Sequence, residues 1–299
     1  MKNLKSLHTA VLAWYGLNAR TFPWRPCSDA YRVLISEMMS QQTQISRVVA
    51  YYHRWLEAFP TIEALASASK ADVLREWSGL GYNSRALRLH QLANIVTSEH
   101  KGSLPHTVES LLALPGIGRY TAHAVACAAY QDAVPVVDVN IRRVLTRVFS
   151  PVERPGEMKP EKEAWALAQS ALPGHDVYEW NQALMDIGAT ICTSRAPKCP
   201  ECPVRRYCLS AESPVFSLPP VKKGKKAAHE PQYNGIPRRL YRGKILKLLH
   251  AGGLTEEEIA SRLEAEFGTL DPAWISHVLD ELVKSDLIVR QGNRVAIAA

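Results

Sequence analysis

A mostly helical protein that ends in a small mixed α/β module is what this sequence predicts, on three observations. Apolar residues recur at helical spacing from Leu7 almost to Cys192. A stretch rich in Pro, Lys and Gly, from Pro214 to Pro237, loses that periodicity and reads as a linker. Beyond it come three helical patterns and then two short apolar runs around Gly292, the order of a winged helix. A chain of 299 residues can bury a full core and divide into about two or three domains. Its hydrophobic fraction is 46% with no long uncharged apolar run, which excludes a membrane span, and the start, Met1 to Ala10, lacks the apolar core of a signal peptide. A cytoplasmic protein is expected.

Residues 5 to 18 form the first amphipathic helix, with Leu7, Val11, Leu12, Trp14 and Tyr15 as apolar positions. Thr21-Phe-Pro-Trp-Arg follows, kept extended by Pro23 and Pro26. Tyr31 to Phe59 reads as two helices. In the first, Glu37 lies between Leu34, Ile35, Met38 and Met39, so it faces either solvent or an apolar pocket. Thr61 to Arg75 supplies further helices, and Trp77-Ser-Gly-Leu-Gly-Tyr-Asn-Ser-Arg is a glycine-rich turn before a helix from Arg85 to Glu99.

From Leu111, Pro115, Gly116 and Gly118 interrupt one helical pattern, and Thr121 to Tyr130 begins another with Ala122, Val125, Ala126 and Ala129 on one face. This is a helix, a tight hairpin and a helix. The glycines open backbone conformations closed to other residues, so consecutive N–H groups can point outward beside the positive end of the second helix, where a phosphate binds. Asp138 then caps a helix marked by Ile141, Val144, Leu145 and Val148. Pro151 to Thr190 is again helical, with Trp165, Trp180 and an apolar run from Ala183 to Ala189. After the linker, Arg242 to His250, Thr255 to Glu266 and Pro272 to Lys284 are the three helices of the last module, Thr255 and Glu258 forming a capping box. Leu287-Ile-Val-Arg and Val295-Ala-Ile close it as a hairpin. Such a module binds DNA or packs against protein, and its third helix is acidic.

Six cysteines divide unevenly. Cys27 and Cys127 stand alone, whereas Cys192, Cys199, Cys202 and Cys208 form C-x6-C-x2-C-x5-C. Four thiols this close in a cytoplasmic chain argue for metal over disulfides, and zinc and an iron-sulfur cluster both accept four cysteines. The formal net charge is +7, and between Arg195 and His250 there are 13 Lys or Arg against three Glu. Positive charge concentrated in this way suits a polyanion partner.

Leu-Pro-Gly-Ile-Gly-Arg-Tyr-Thr-Ala, followed by Val-Asp-Val-Asn-Ile-Arg-Arg-Val, resembles the helix-hairpin-helix DNA glycosylases. The segment Ser36-Glu-Met-Met-Ser-Gln-Gln-Thr is similar to that of their adenine-specific, MutY-like branch. The resemblance covers about residues 5 to 210 and implies a two-lobed helical fold. Residues 1–27 and 134–212 would form an iron-sulfur cluster domain and 28–133 a helical domain with the hairpin. A basic linker at 213–237 and the winged-helix-like domain at 238–299 would follow. It implies Glu37 as the acid that protonates adenine, Asp138 as the carboxylate that steadies the sugar cation, and Tyr120 and Asn140 as residues orienting them. It also implies Gln42 and Tyr82 as wedges in the DNA stack, Arg25 in the base pocket, and Gly116, Gly118 and Arg119 on the phosphates. By the same match Cys192, Cys199, Cys202 and Cys208 hold a 4Fe-4S cluster.

The implied function is a monofunctional glycosylase of base excision repair that removes adenine mispaired with 8-oxoguanine or guanine. Related bifunctional lyases carry a lysine where Tyr120 stands, and tyrosine cannot form a Schiff base. The implied partner is double-stranded DNA containing a mispair, bound by a monomer without a membrane. Three departures stand out: Ser40 where the family often has leucine, Asn83 where it often has a second aromatic, and a last sixty residues unlike the MutT-like domain that reads 8-oxoguanine. The alternatives are a thymine or uracil mismatch glycosylase and a non-catalytic iron-sulfur DNA-binding regulator. Glu37 argues against the first, because a pyrimidine has no N7 to protonate, and the presence of both carboxylates argues against the second.

Overall fold

A computed structural model describes residues 4–154, 156–213 and 230–298. The chain packs into two units, one gathering the described residues of 1–37, 106–113 and 117–224, the other those of 38–105, 114–116 and 225–299. The helices expected from apolar spacing are present: α1 (Leu4–Asn18), α2 (Ala30–Ser40), α3 (Ile45–Ala58), α4 (Ile62–Ala66), α5 (Lys70–Trp77), α6 (Ser84–Glu99), α7 (Val108–Leu112), α8 (Arg119–Ala129), α9 (Val139–Phe149), α10 (Glu161–Ser170) and α11 (Val177–Thr190). The division between the units falls within α2, after Glu37.

In the first unit α11 packs against α9 and α1. Val11, Ile141, Val144, Leu145, Trp180, Leu184 and Ile187 interlock there, on faces set by helical spacing. Burying such side chains stabilises the unit by about 1.5–3 kcal/mol each, and it fixes where the N-terminus of α9 points. The segment from Cys192 to Cys208 returns across α9, since the Ser210 amide donates to the Arg147 carbonyl at 3.1 Å and the Leu209 amide to Val148 at 3.0 Å. A smaller cluster of Ala124, Cys127 and Val136 seats α8, with Tyr120 against it.

In the second unit α6 packs on α4 and α5, and Trp55 meets Trp77 edge-on at 5.4 Å. Its C-terminal part holds α12 (Arg238–Leu249), α13 (Glu256–Phe267) and α14 (Pro272–Lys284), with an antiparallel sheet ordered β3 (Leu254–Thr255), β5 (Arg294–Ile297), β4 (Ile288–Gln291). Ile288 pairs with Ile297 and Gln291 with Arg294 across the Gly292 turn. The Thr255–Glu258 capping box forms as the sequence indicates.

One expectation is corrected at the end of the linker. Gln232–Tyr233 (β1) and Ile236–Pro237 (β2) form a hairpin whose turn, Asn234-Gly235, takes φ values of 49° and 72°. This is the Asn-Gly hairpin preference, on strands too short to show a period. Tyr233 stacks on Trp274 at 4.3 Å. Residues 214–229 of the linker, with the Lys222-Lys-Gly-Lys-Lys run, lie outside the described residues.

Candidate active site

Helix α2 buries Leu34, Ile35, Met38 and Met39. Glu37, between them, is half-buried and desolvated, which favours the apolar pocket over the solvent-facing reading. Desolvation of its carboxyl pushes the pKa up to about 7. A hydrogen bond from the Tyr120 hydroxyl and the charge of Arg25 pull in the other direction, while the charge of Asp138 adds to the rise. Tyr120 is itself held well above its usual range, first by burial and then by the charges of Glu37 and Asp138. Four of the residues singled out in the sequence, Arg25, Glu37, Tyr120 and Asp138, therefore share one electrostatic neighbourhood in the first unit.

Asp138 caps α9 and lies in this same neighbourhood. One of its oxygens accepts from the Ile141 amide at 2.7 Å and the other from Asn140 Nδ2 at 2.8 Å. Burial raises its pKa, whereas these donors and the charge of Arg143 favour the ionised form. Arg143 Nη2 donates to Asn140 Oδ1 at 2.9 Å, and its Nε donates to the Cys192 carbonyl at 2.7 Å. Gly188 of α11 makes room for this arrangement, because a Cβ placed there would lie 2.7 Å from the Asn140 Cβ and 3.1 Å from its carbonyl oxygen.

Arg25 is tied down. Its Nη1 donates to both carboxylate oxygens of Asp186 at 3.0 Å, and Asp186, fully buried, also accepts from Arg20 Nε at 2.8 Å. A buried carboxylate is tolerated because two guanidiniums satisfy it. Sequence reasoning missed Asp186, although it is the one acid in the apolar run from Ala183 to Ala189, and it missed Arg20 and Arg143 as well.

The hairpin between α7 and α8 forms as expected, with one correction. Gly116 takes φ +82°, a conformation that favours glycine, and an added Cβ would meet the Arg88 side chain at 3.0 Å. Gly118 does not need that freedom: its φ is −94°, open to any residue. As the N-cap of α8 it carries no side chain, so the first amides of α8 have no side-chain cap. Arg119 lies over the Trp165 ring at 4.0 Å.

Gln42 and Tyr82 belong to the second unit, on the loops after α2 and before α6. Both adopt left-handed backbone, at φ 54° and 49°, and the Tyr82 side chain is 62% exposed. Arg85, also missed from sequence, is buried beneath them at 6% exposure.

Cys192, Cys199, Cys202 and Cys208 line a single cavity together with Val144, Val148, Ile187, Ile191 and Val204. Arg147 Nη1 donates to the Cys192 sulfur at 3.3 Å. Burial, together with charge on neighbouring thiols, pushes Cys202 up to about 11 and Cys208 up to about 12. Among the described residues no three His, Cys, Asp or Glu converge tightly enough to hold a single metal ion, and no helix is long and apolar enough to cross a membrane. Cys127 is buried beside Asn181, apart from this set.

The chain is similar to known proteins over most of its length. Residues 35–170 match the HhH-GPD superfamily of base excision DNA repair proteins. The chain is 40% identical to the adenine DNA glycosylase of Mycolicibacterium smegmatis over 96% of its own length and 94% of that protein. It is 42% identical to the human adenine DNA glycosylase over 67% of its length and 38% of that longer protein. Among solved structures, a thermostable thymine-DNA glycosylase superposes with a TM-score of 0.64 at 30% identity, covering 72% of this chain and 96% of that one. Endonuclease III in a trapped covalent complex with DNA gives 0.59 at 20% identity, covering 71% and 98%, which speaks to the fold. The extent and level of identity to the Mycolicibacterium protein establish that the chain belongs to the adenine DNA glycosylase family, within the HhH-GPD superfamily.

Proposed function

We propose that this protein is a monofunctional DNA glycosylase that hydrolyses the N-glycosidic bond of adenine mispaired with 8-oxoguanine or guanine in duplex DNA, acting as a cytoplasmic monomer. The observation that carries the reading is the pair of carboxyls, Glu37 pushed up to about 7 and Asp138 held by donors that favour its charge. Two carboxyls in one neighbourhood, one raised to about 7 and the other wrapped in donors to its ionised form, can divide the roles of acid and cation stabiliser.

The target adenine leaves the stack, at a cost of a few kcal/mol, and Gln42 and Tyr82 fill the gap. Glu37 gives its proton to N7 as the C1′–N9 bond breaks and the bonding electrons leave with the base. Asp138, ionised, steadies the oxocarbenium ion. Water adds to C1′, and its proton passes to the Glu37 carboxylate, which restores the acid. Asn140 and the Ile141 amide hold Asp138 in place, and Arg25, anchored on Asp186, lines the pocket. The unshielded start of α8, with Gly116, Gly118 and Arg119, suits a DNA phosphate.

The cysteine set fits a 4Fe-4S cluster: four thiols surround one cavity walled by apolar side chains, which a compact inorganic cluster would fill. Cys192, Cys199, Cys202 and Cys208 would hold it, and because four protein ligands leave no open position, it supplies a structural crosslink. The loop also carries Arg195, Lys198, Arg205 and Arg206; Arg205 pairs with Glu212 at 3.0 Å and Lys198 lies 3.9 Å from Glu201, which leaves Arg195 and Arg206 as its candidates for phosphate contact. In the C-terminal module four cations of α12 are engaged, among them Arg238 with Glu281 at 2.7 Å and Lys244 with Glu266, which supports a packing role there.

A thymine or uracil glycosylase is the competing reading, given the likeness to a thymine-DNA glycosylase. Single-turnover cleavage of duplexes with A opposite 8-oxoguanine, A opposite G, T opposite G and U opposite G decides between them. Release of adenine from the first two supports the proposal, and release confined to the pyrimidine substrates overturns it.

A further inference from the structure

Arg85 is a buried cation with no carboxylate beside it among the described residues, and it bonds the last turn of α2 together with the two loops that carry Gln42 and Tyr82. Nη1 reaches the carbonyls of Met38 at 2.8 Å and Gln41 at 2.6 Å. Nη2 donates to the Gly81 carbonyl at 3.0 Å and approaches Thr43 Oγ1 at 3.3 Å. Its guanidinium carbon sits 5.5 Å from the Tyr82 ring and 5.1 Å from that of Trp77, whose Nε1 donates to the same Gly81 carbonyl at 3.0 Å.

The register of these bonds is the informative part. Of the five carbonyls that Arg85 reaches, two belong to Gln41 and Gly81, the residues just before Gln42 and Tyr82, so these two lie in the peptide planes that open into left-handed residues, at φ 54° in one loop and 49° in the other. For an L-residue that conformation is sterically unfavourable and persists only where its surroundings enforce it. One planar fork enforces both, a geometry that the point charge of lysine cannot reproduce. Burying an unpaired guanidinium is unfavourable in itself, and a loop closed by its own side chains would not need it.

We propose that Arg85 is a positioning residue that holds the Gln42 and Tyr82 loops in one insertion-ready arrangement, so that both side chains meet the duplex as a single preorganised device. This rests on the reading above that those two side chains enter the DNA stack. The consequence is kinetic: Arg85 acts on extrusion of the base and leaves the proton transfer from Glu37 untouched.

The test uses the full-length protein carrying Glu37→Gln, to stop cleavage, and duplexes with 2-aminopurine next to the mispaired adenine, whose fluorescence rises when the base is extruded. Gln42→Ala, Tyr82→Ala, their combination and Arg85→Lys are compared, with circular dichroism and melting to verify folding. Arg85→Lys should lower the extrusion equilibrium at least fivefold, about as much as the double alanine variant, and should add less than twofold to it. In protein with Glu37 intact, the pH midpoint of single-turnover excision should not move, and millimolar methylguanidinium should restore extrusion to Arg85→Ala.

Unchanged extrusion in both alanine variants overturns the wedge reading, and the proposal with it. Impaired alanine variants beside an unaffected Arg85→Lys, or an Arg85→Lys loss that multiplies with theirs, overturn the proposal alone. If no Arg85 variant folds, hydrogen exchange on the natural protein decides. Amides at residues 42–44 and 82–83 should open together, and a tenfold difference in protection between the loops overturns the coupling.

Discussion

The Tyr120 hydroxyl donates to the carboxyl of Glu37, a group that burial has already pushed up to about 7. The bond favours the charged carboxylate and so restrains the rise. An acid poised at that value exchanges its proton close to neutral pH, where general acid catalysis is most effective.

A pH dependence follows with a definite sign. Single-turnover excision should decline as pH rises through about 7, as Glu37 loses its proton, and should decline on the acid side as Asp138 gains one. Tyr120→Phe removes the donor that lowers the Glu37 pKa, so its alkaline limb should move to higher pH. A limb that stays in place would show that another group titrates.

Glu37→Gln should separate activity from stability. Loss of the proton donor should slow adenine release by about 10²- to 10⁴-fold. In the natural protein the folded-state pKa, about 7, lies above the usual 4.5, so the folded chain holds this proton more tightly than the unfolded one. Stability is therefore lost as pH rises across that window. Glutamine has no charge to desolvate, and the variant should be more stable at pH 8 by on the order of 2 kcal/mol, the gain fading toward pH 5. Thermal melting at the two pH values reads it directly.

Gly188→Ala should damage the site from the neighbouring helix. Alanine favours a helix interior over glycine by about 1 kcal/mol, but its Cβ would come within 2.7 Å of the Asn140 Cβ. Crowding of this kind costs about 1–3 kcal/mol, and shifting Asn140 weakens its 2.8 Å bond to Asp138. The expected result is a small net change in melting temperature with excision slowed about tenfold or more. Undiminished excision would show that Asn140 is not needed to hold Asp138.

Protein purified without oxygen should contain iron and acid-labile sulfide in equal amounts, and Cys199→Ser should lower both together with the melting temperature. Zinc at one ion per chain, with no sulfide, would replace the cluster assignment. Because Arg143 bonds both the Cys192 carbonyl and Asn140, excision should fall along with the metal.

Borohydride added during turnover should trap no covalent adduct with DNA, since Tyr120 offers no amine at the hairpin. Tyr120→Lys should gain one. Strong trapping by the natural protein would mean that another amine reaches the sugar and that the enzyme is not monofunctional.

Much of this architecture was legible from the chain alone. Helical periodicity located the helices, Thr255 and Glu258 announced a capping box, and Asp138 declared itself as an N-cap, because each of these depends on residues within a few positions of one another. Local signals failed where they were shortest. The Asn234-Gly235 hairpin has strands of two residues, and Gly118 looked conformationally special when only Gly116 is.

Residue types at fixed spacing determined that two carboxyls, a hairpin tyrosine and four cysteines are available to chemistry. Tertiary structure decided their chemical state. Glu37 is raised by burial and restrained by Tyr120 and Arg25, Asp186 is masked by two arginines, and Arg85 ties together loops some forty residues apart. Proton affinity and backbone strain depend on charges and donors within a few ångströms, and in this chain those neighbours come from segments far apart along the sequence, where no periodicity connects them.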